Sequence, residues 1–287
     1  MYAPSFDYYR ARSVADAHQL LAAHPGAKLL AGGHSLLPLL KLRLAAPPAL
    51  VDIGRIPELR GISRQGDLIR IGALATHAEL AASADLRSAA PALADAASMV
   101  GDPAVRNRGT IGGNVAHADP ASDLPTVLVA LDARLLASGP GGERTIPADQ
   151  FFTGIMTTAL AEDEILTAIE LPASSKGQGA AYEKFSHPAS RYAVLGVAAW
   201  VAVANGTCSA ARIALGGLLP NARRAGNAER ELVGKAINDE TIAAAAARVA
   251  ADLGDDVSGD IYASAEYRSA MAPVFTKRAV ANAAARV

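Results

Sequence analysis

The sequence predicts an α+β protein of two domains, and three observations support this. Helical and strand patterns alternate from the N-terminus to Pro172, which is typical of packed layers of helix and sheet. Residues 173–179 are rich in serine and glycine, the composition of a flexible linker. After them, consecutive strands precede two helices, as in an α+β domain with a small antiparallel sheet. We therefore expect domains at residues 1–175 and 178–287, the first divided into lobes at about 1–56 and 57–175.

Capping residues predict where the helices of the first domain begin. Ser13 can cap a helix over residues 14–23, and Thr76-His77-Ala78-Glu79 is a capping box ahead of a short helix. Pro91 suits the first turn of a helix that extends to residue 100. Apolar spacing predicts two more helical segments, at 35–40 and near 126–131.

Short apolar runs bounded by glycine or proline predict the strands. In the first domain they lie at 28–31, 50–53, 68–71, 134–137 and 165–171, and in the second at 181–185, 193–204 and 210–215. Residues 101–125 are rich in turn formers, and we expect no regular element there. Two helices, at 240–253 and 264–285, close the chain, and Pro273 can kink the second.

Composition excludes several classes of protein. The formal net charge is −1, and no basic patch predicts binding to nucleic acid or to a membrane surface. Cys208 is the only cysteine, so iron–sulfur clusters or structural zinc would have to be bound by another chain. The longest apolar run, residues 192–204, is too short for a membrane span, and the N-terminus does not resemble a signal peptide. We expect a soluble, cytoplasmic chain.

Two pairs of adjacent glycines are the strongest functional signal. They lie in Ala31-Gly32-Gly33-His34-Ser35 and in Thr110-Ile111-Gly112-Gly113-Asn114. Adjacent glycines let backbone N–H groups approach an anion closely, and each pair is next to a hydroxyl residue. The two loops together suggest a pyrophosphate held from both sides; the alternative is that both are ordinary tight turns. The sequence has neither a P-loop nor a Gly-x-Gly-x-x-Gly dinucleotide motif.

The sequences of these two loops resemble motifs of a known family. Residues 31–38 and 110–114 are similar to the paired FAD signatures of the medium subunits of molybdenum hydroxylases, the xanthine dehydrogenase and aerobic carbon monoxide dehydrogenase family. Residues 106–107, 119–125 and 265–268 also resemble family signatures, so the similarity covers essentially the whole chain. It implies a two-lobed FAD-binding domain of the vanillyl-alcohol-oxidase-like (PCMH-type) fold, followed by a C-terminal flavoprotein domain.

The resemblance also implies which residues bind FAD. Backbone from both glycine loops would surround the pyrophosphate, with Ala31, Gly32, Gly33, His34, Ser35 and Leu36 on one side and Thr110, Ile111, Gly113 and Asn114 on the other. Three further residues are placed by similarity. Asp123 would accept hydrogen bonds from ribityl or ribose hydroxyls, Lys184 would lie near the flavin pyrimidine, and Tyr192 would approach the isoalloxazine ring. Their alternatives are a helix N-cap, an exposed strand lysine and an aromatic residue packed at the domain seam.

No residue is predicted to act as a catalytic acid or base or to bind a metal. His18, His24, His77 and His117 lack metal-ligand spacing and are expected on the surface or at helix caps, and His187 in a loop.

Family membership implies a heterotrimer, itself dimerised, with a large molybdenum subunit and a small subunit that carries two 2Fe–2S clusters. This chain would receive electrons on FAD and pass them to NAD or a quinone. One alternative is a stand-alone FAD-dependent oxidase or dehydrogenase of the vanillyl-alcohol-oxidase-like fold; another is a scaffold that has lost its flavin. Tyr192 favours the carbon monoxide dehydrogenase-like group, but the substrate is bound by another chain and cannot be inferred from this one.

Overall fold

The computed structural model describes residues 2–287 and begins with a small parallel sheet. Its strands have the order β1-β3-β2, and both pairings are parallel. Ser13 begins the first helix as expected, because its side chain accepts a hydrogen bond from the backbone N–H of Asp16. The elements of this lobe are β1 Asp7–Arg10, α1 Val14–Ala23, β2 Lys28–Leu30, α2 Leu36–Lys41 and β3 Ala49–Asp52.

The second lobe is an antiparallel sheet covered by short helices. Its strand order is β4-β5-β10-β6-β7, and a small hairpin, β8–β9, lies outside it. Both hydrogen bonds of the predicted capping box of α3 are present, between Thr76 and Glu79. The strands are β4 Ile62–Gln65, β5 Leu68–Gly72, β6 Arg134–Gly139, β7 Gly142–Pro147, β8 Phe152–Gly154, β9 Thr157–Thr158 and β10 Ile165–Pro172. The helices are α3 His77–Ala82, α4 Ala84–Ala89, α5 Pro91–Met99, α6 Pro103–Arg106, α7 Ile111–His117, α8 Asp123–Ala130 and α9 Ala148–Phe151.

The C-terminal part is a four-stranded antiparallel sheet with helices on one face. Its strands, in the order β11-β12-β13-β14, are Gln178–Ser186, Ala193–Ala204, Thr207–Gly216 and Arg223–Arg224. The helices α10 Gly226–Leu232, α11 Asp239–Leu253 and α12 Ala265–Ala284 cover one face, where they pack on Leu195, Val197 and Ile213. The other face packs on the second lobe through Tyr182 and Ala198. The apolar run of β12 is therefore a strand buried on both faces.

A buried arginine ties α12 to this sheet. Arg268 is only 6% exposed, and its guanidinium donates to the backbone oxygens of Val194 and Gly217, at 3.1 and 2.8 Å, and to Asp260. Because a buried guanidinium needs acceptors for its N–H groups, these contacts fix the start of α12 next to the beginning of β12. This gives a structural role to the arginine of the Ala265–Arg268 signature.

Most predicted elements match the structure to within a few residues, but two expectations are wrong. Residues 101–125 contain two helices, α6 and α7, and the start of a third, because Asp102 and Thr110 act as N-caps with their side chains. Residues 178–179 already belong to β11. Gly179 is not a hinge, since a Cβ built on it would lie 2.0 Å from the carbonyl oxygen of Ala283, so it permits close packing on α12.

The strands β1, β4, β8, β9 and β14 and the helices α4, α9 and α10 were not predicted. Their sequences are short or mostly polar, so apolar periodicity does not reveal them. None of the helices described in the structure is long and apolar enough to cross a membrane.

Candidate functional site

A cavity of about 570 Å³ lies where the two lobes meet the C-terminal part. Both glycine pairs line it, together with Asp123 and the loop that contains Tyr192. A cavity of this size, at a junction between structural units, is typical of a site for a small molecule or cofactor. The structure thus brings together two glycine loops that are about 80 residues apart in sequence, as the pyrophosphate hypothesis requires.

The first glycine loop connects β2 to α2. Gly33 has φ +77°, in the left-handed region that favours glycine, and its carbonyl oxygen accepts the N–H of Leu37, which starts the helix. Gly32 has a different requirement: a Cβ there would lie 2.1 Å from the carbonyl oxygen of Arg108. Gly32 therefore lets the two loops touch, and Gly33 turns the backbone beside the cavity.

The second loop is the first turn of α7, and its two glycines have different roles. Thr110 is the N-cap, since its hydroxyl oxygen accepts the N–H of Gly113 at 3.1 Å. Gly112 donates its N–H to the carbonyl oxygen of Ala73 at 2.8 Å, and a Cβ built on Gly112 would lie 2.7 Å from this oxygen. Gly113 is exposed, and a Cβ built on it would lie 2.9 Å from Thr110 Oγ1 and 3.9 Å from the Cβ of Ala31 in the first loop. Gly112 thus permits close packing against Ala73, and the backbone of Gly113 lines the cavity.

Asp123 is the centre of a buried polar network. Its carboxylate accepts hydrogen bonds from Tyr182 Oη at 2.6 Å and from Lys184 Nζ at 2.8 Å, and Lys184 also donates to the carbonyl oxygen of Met99 at 3.3 Å. Burial raises the pKa of Asp123, and the charge and hydrogen bonds of its partners oppose this rise. Burial also raises the pKa of Tyr182, which keeps its phenol a donor. The network joins α5, α8 and β11 at the edge of the cavity.

Tyr192 lies at the cavity mouth at the end of a compact loop. The Nδ1 atom of His187 accepts from the N–H groups of Ala189 and Ser190, both at 3.2 Å, and the N–H of His187 donates to the carbonyl oxygen of Tyr192 at 2.8 Å. Tyr192 is 47% exposed. Partial burial, followed by the charges of Asp119 and Asp123, raises its pKa. A protonated phenol is thus held beside the cavity.

The predicted site residues do not all contribute in the same way. Two of them, Ile111 and Lys184, do not line the cavity. The side chain of Ile111 lies in the core, and its N–H donates to the carbonyl oxygen of Ala75. Lys184 is connected to the cavity only through its bond to Asp123. The exposed-lysine alternative is wrong, because the side chain of Lys184 is 0% exposed. The N-cap alternative for Asp123 is also wrong, because Ser122 holds that position. The predicted residues that line the cavity are Ala31, Gly32, Gly33, His34, Ser35, Leu36, Thr110, Gly113, Asn114, Asp123 and Tyr192.

Among the cavity-lining residues that sequence analysis missed, Ser122 and His77 are polar and buried. Ser122 lines the cavity and accepts from Asn114 Nδ2 at 3.0 Å; its place beside Asp123 was the available signal. His77 was expected on the surface or at a helix cap. It is the first residue of α3, but it is 3% exposed and lines the cavity. Burial, and then the charges of His34 and Arg106, lower its pKa from 6.5 to about 4. The capping box placed His77 at a helix start but could not show what packs on it.

This shift predicts a pH-dependent stability. Because the folded-state pKa of His77 lies below its unfolded value, the unfolded chain binds the extra proton first, and stability falls as the pH drops from about 6.5 towards 4. We expect His77 to account for a loss of about 2 kcal/mol of unfolding free energy between about pH 7 and pH 5, at 1.36 kcal/mol per pKa unit. Urea unfolding of the wild type and of His77→Leu at both pH values measures this, and equal losses in the two proteins would contradict it.

Comparison with known proteins shows the same architecture across the whole chain. Residues 4–174 match the FAD binding domain in molybdopterin dehydrogenase, and residues 180–283 match the CO dehydrogenase flavoprotein C-terminal domain. The chain is 43% identical to the carbon monoxide dehydrogenase medium chain of Hydrogenophaga pseudoflava over 289 aligned positions, which cover 100% of this chain and 99% of that one. It is 34% identical to the xanthine dehydrogenase FAD-binding subunit of Escherichia coli O157:H7, covering 97% and 96%.

A solved structure agrees with these sequence relationships. The chain superposes on a structure of carbon monoxide dehydrogenase from Hydrogenophaga pseudoflava with a TM-score of 0.96 and 44% identity, covering 100% of this chain and 99% of that one. The fold and the cavity thus define a flavoprotein with an FAD-binding domain followed by a smaller α+β domain. The chain belongs to the family of FAD-binding medium subunits of molybdenum-containing dehydrogenases, of the carbon monoxide dehydrogenase and xanthine dehydrogenase type.

The cavity has the chemistry that FAD requires. Gly33 lines it without a side chain, so its backbone is accessible to a pyrophosphate. Gly113 also lines it, although its N–H is already bonded to the Thr110 hydroxyl. Asn114 Oδ1 is buried and has no hydrogen-bond partner among the described residues. Since buried polar atoms are nearly always paired, we take it as a place where a bound molecule or water completes the site. No group of three or more His, Cys, Asp or Glu in residues 2–287 could hold a metal ion.

Proposed function

We propose that this chain is the electron-transfer subunit of a molybdenum hydroxylase. It would take electrons from 2Fe–2S clusters of a partner subunit and pass them to an external acceptor. The observation that supports this best is the cavity lined by both glycine loops, in a chain whose single cysteine, Cys208, is buried. Such a chain can bind a flavin but lacks the thiolates that ligate iron–sulfur clusters. Relatives are named as medium chains or FAD-binding subunits, which implies partners of other sizes.

FAD, when bound, supplies a redox centre that can exchange electrons one or two at a time, and the protein provides position and environment. We propose that Ala31 to Leu36 and the Thr110–Asn114 turn hold the pyrophosphate. Asp123 would accept from cofactor hydroxyls with the lone pairs that Tyr182 and Lys184 leave free. Tyr192 would shield the flavin edge from water, and Lys184 would act on the flavin through the charge of its pair with Asp123.

We also propose the division into domains at residues 1–175 and 178–287. Separate family models match the two parts, and the sheet of the second part has its own hydrophobic core with its helices. The complete assembly would contain a large molybdenum subunit and a small iron–sulfur subunit, and two such heterotrimers would form a dimer.

Reconstitution of the purified full chain with FAD tests this function. We expect one FAD per chain with flavin absorbance bands, no reduction by candidate hydroxylase substrates added to the chain alone, and reduction when a reduced partner iron–sulfur subunit is added. The stand-alone oxidase alternative predicts substrate-dependent bleaching of the flavin without partners. A correctly folded chain that remains colourless with excess FAD would contradict both.

A further inference from the structure

The ring of His77 is packed against the turn that precedes the second glycine pair. A Cβ built on Gly109 would lie 2.8 Å from Cδ2 and 2.9 Å from Nε2 of His77. The backbone N–H of His77 also donates to the carbonyl oxygen of Gly109 at 3.0 Å. The turn is thus in direct contact with His77 through both the imidazole and the main chain.

Gly109 also contacts the first glycine loop. A Cβ on Gly32 would lie 3.1 Å from Gly109 Cα, and the preceding carbonyl oxygen, that of Arg108, is the closest atom to it. Gly32, Gly109 and His77 therefore form a continuous series of contacts, and all three line the cavity. Because there is no room for even a Cβ between these groups, a change in the bulk of His77 would be transmitted to the spacing between the two loops.

The bulk of the ring, and not its hydrogen bonding, holds this arrangement. His77 Nδ1 is buried without a partner among the described residues, and the ring is uncharged at neutral pH because burial, with His34 and Arg106 nearby, disfavours the proton. A charged or strongly hydrogen-bonded ring would recruit an acceptor, and the structure places none at Nδ1. What the ring does provide is a filled volume under Gly109.

The geometry points to His77 as a positioning residue for the FAD pyrophosphate: its uncharged ring supports Gly109 and thereby holds the second glycine loop at the correct distance from the first. This inference rests on the proposed function of the two loops. It assigns His77 no contact with the reacting atoms, so its effect is on FAD affinity and on the order of the loop, and not on the chemistry of the flavin.

Four variants of the full chain test it: His77→Ala, Gly109→Ala, the double variant, and His77→Leu as the matched control that keeps most of the ring's volume. FAD binding is measured by quenching of flavin fluorescence. Hydrogen exchange of the apo chain is measured on a peptide that covers residues 105–113. Urea unfolding of each apo variant separates local from global effects.

We expect each alanine variant to weaken FAD binding by about 10- to 100-fold, the range found when residues that orient the ligands of a metal ion are removed. The methyl group of Gly109→Ala partly fills the space left by His77→Ala, so the double variant should bind FAD at least about 5-fold more tightly than the product of the single effects predicts. His77→Leu should bind within about threefold of the wild type, because volume-conserving changes are tolerated best.

Faster exchange in His77→Ala should be confined to residues 105–113. Purely multiplicative effects of the two alanine variants, or an equal loss of FAD in His77→Leu and His77→Ala, would overturn the role of His77. If His77→Ala does not fold, the FAD affinities of His77→Leu and Gly109→Ala still test the inference. It requires His77→Leu to bind FAD nearly as tightly as the wild type and Gly109→Ala to bind it more weakly. Absence of FAD binding by the wild type would instead refute the proposed function.

Discussion

Replacement of Gly32 by alanine is expected to weaken FAD binding by on the order of 100-fold, a loss of the size that a misplacement of about 1 Å can cause in a site whose groups must be precisely positioned. The reason is steric, because a Cβ at this position would lie 2.1 Å from the carbonyl oxygen of Arg108. Backbone atoms cannot swing aside as a flexible side chain can, so the two loops must move apart. Overpacking of this kind also costs about 1–3 kcal/mol of unfolding free energy.

Gly141→Ala is the matched control for this prediction. Gly141 lies in the turn between β6 and β7, has no atom within 4 Å of a Cβ built on it, and has no positive φ. It should bind FAD and unfold like the wild type. Titration of each purified chain with FAD, followed by fluorescence, gives the dissociation constants. Wild-type affinity in Gly32→Ala would show that the loops need not touch, and would remove the structural basis of the pyrophosphate site.

Replacement of Lys184 by methionine is expected to lower the unfolding free energy by about 3–5 kcal/mol, because it leaves a buried carboxylate without its counter-charge. The side chains of Lys184 and Asp123 are 0% and 5% exposed, so water cannot take over the lost interaction. Methionine keeps the length of the side chain, which limits the effect of a cavity. The change should appear as a melting temperature lower by roughly 10 °C. Burial would then raise the pKa of Asp123 further.

A double variant separates the charge from the packing. In Asp123→Asn combined with Lys184→Met, no charge remains to be buried, and we expect the chain to be more stable than Lys184→Met alone. Lys176→Met, at an exposed linker lysine without an ion pair in the structure, should leave stability unchanged. Additive effects of the Asp123 and Lys184 substitutions would mean that the contact between these side chains contributes nothing measurable.

The glycine loops show which part of the site could be predicted from sequence. Adjacent glycines beside hydroxyl residues are a local signal, and two of them in one chain predicted a shared ligand. The structure places both pairs on one cavity, but a glycine is required at each position for a different reason. Gly33 turns the backbone, Gly32 and Gly112 permit close packing, and Gly113 is open to the cavity. Close packing depends on what lies opposite, so sequence could not separate these roles.

His77 and the buried polar network around Asp123 show which part of the site could not be predicted from sequence. A polar residue at a helix start is usually exposed, and nothing near His77 in the sequence shows that Gly109 packs on its ring. Asp123 and Lys184 are about 60 residues apart, and their pairing depends on the docking of β11 against α8. Neither the burial of His77 nor this pairing could be predicted, for one physical reason: burial is a property of the assembled layers and not of a local segment.

The sequence by itself determined the class of fold, the caps of α1 and α3, the long strands of the C-terminal sheet and the two loops that define the cofactor. These are local properties, set by backbone conformation, capping hydrogen bonds and the periodicity of apolar residues. The tertiary structure alone decided which glycines touch, which carboxylate and lysine are buried together, and which histidine supports the site. Those depend on contacts between segments distant in sequence, where distances of tenths of an ångström decide whether a side chain fits.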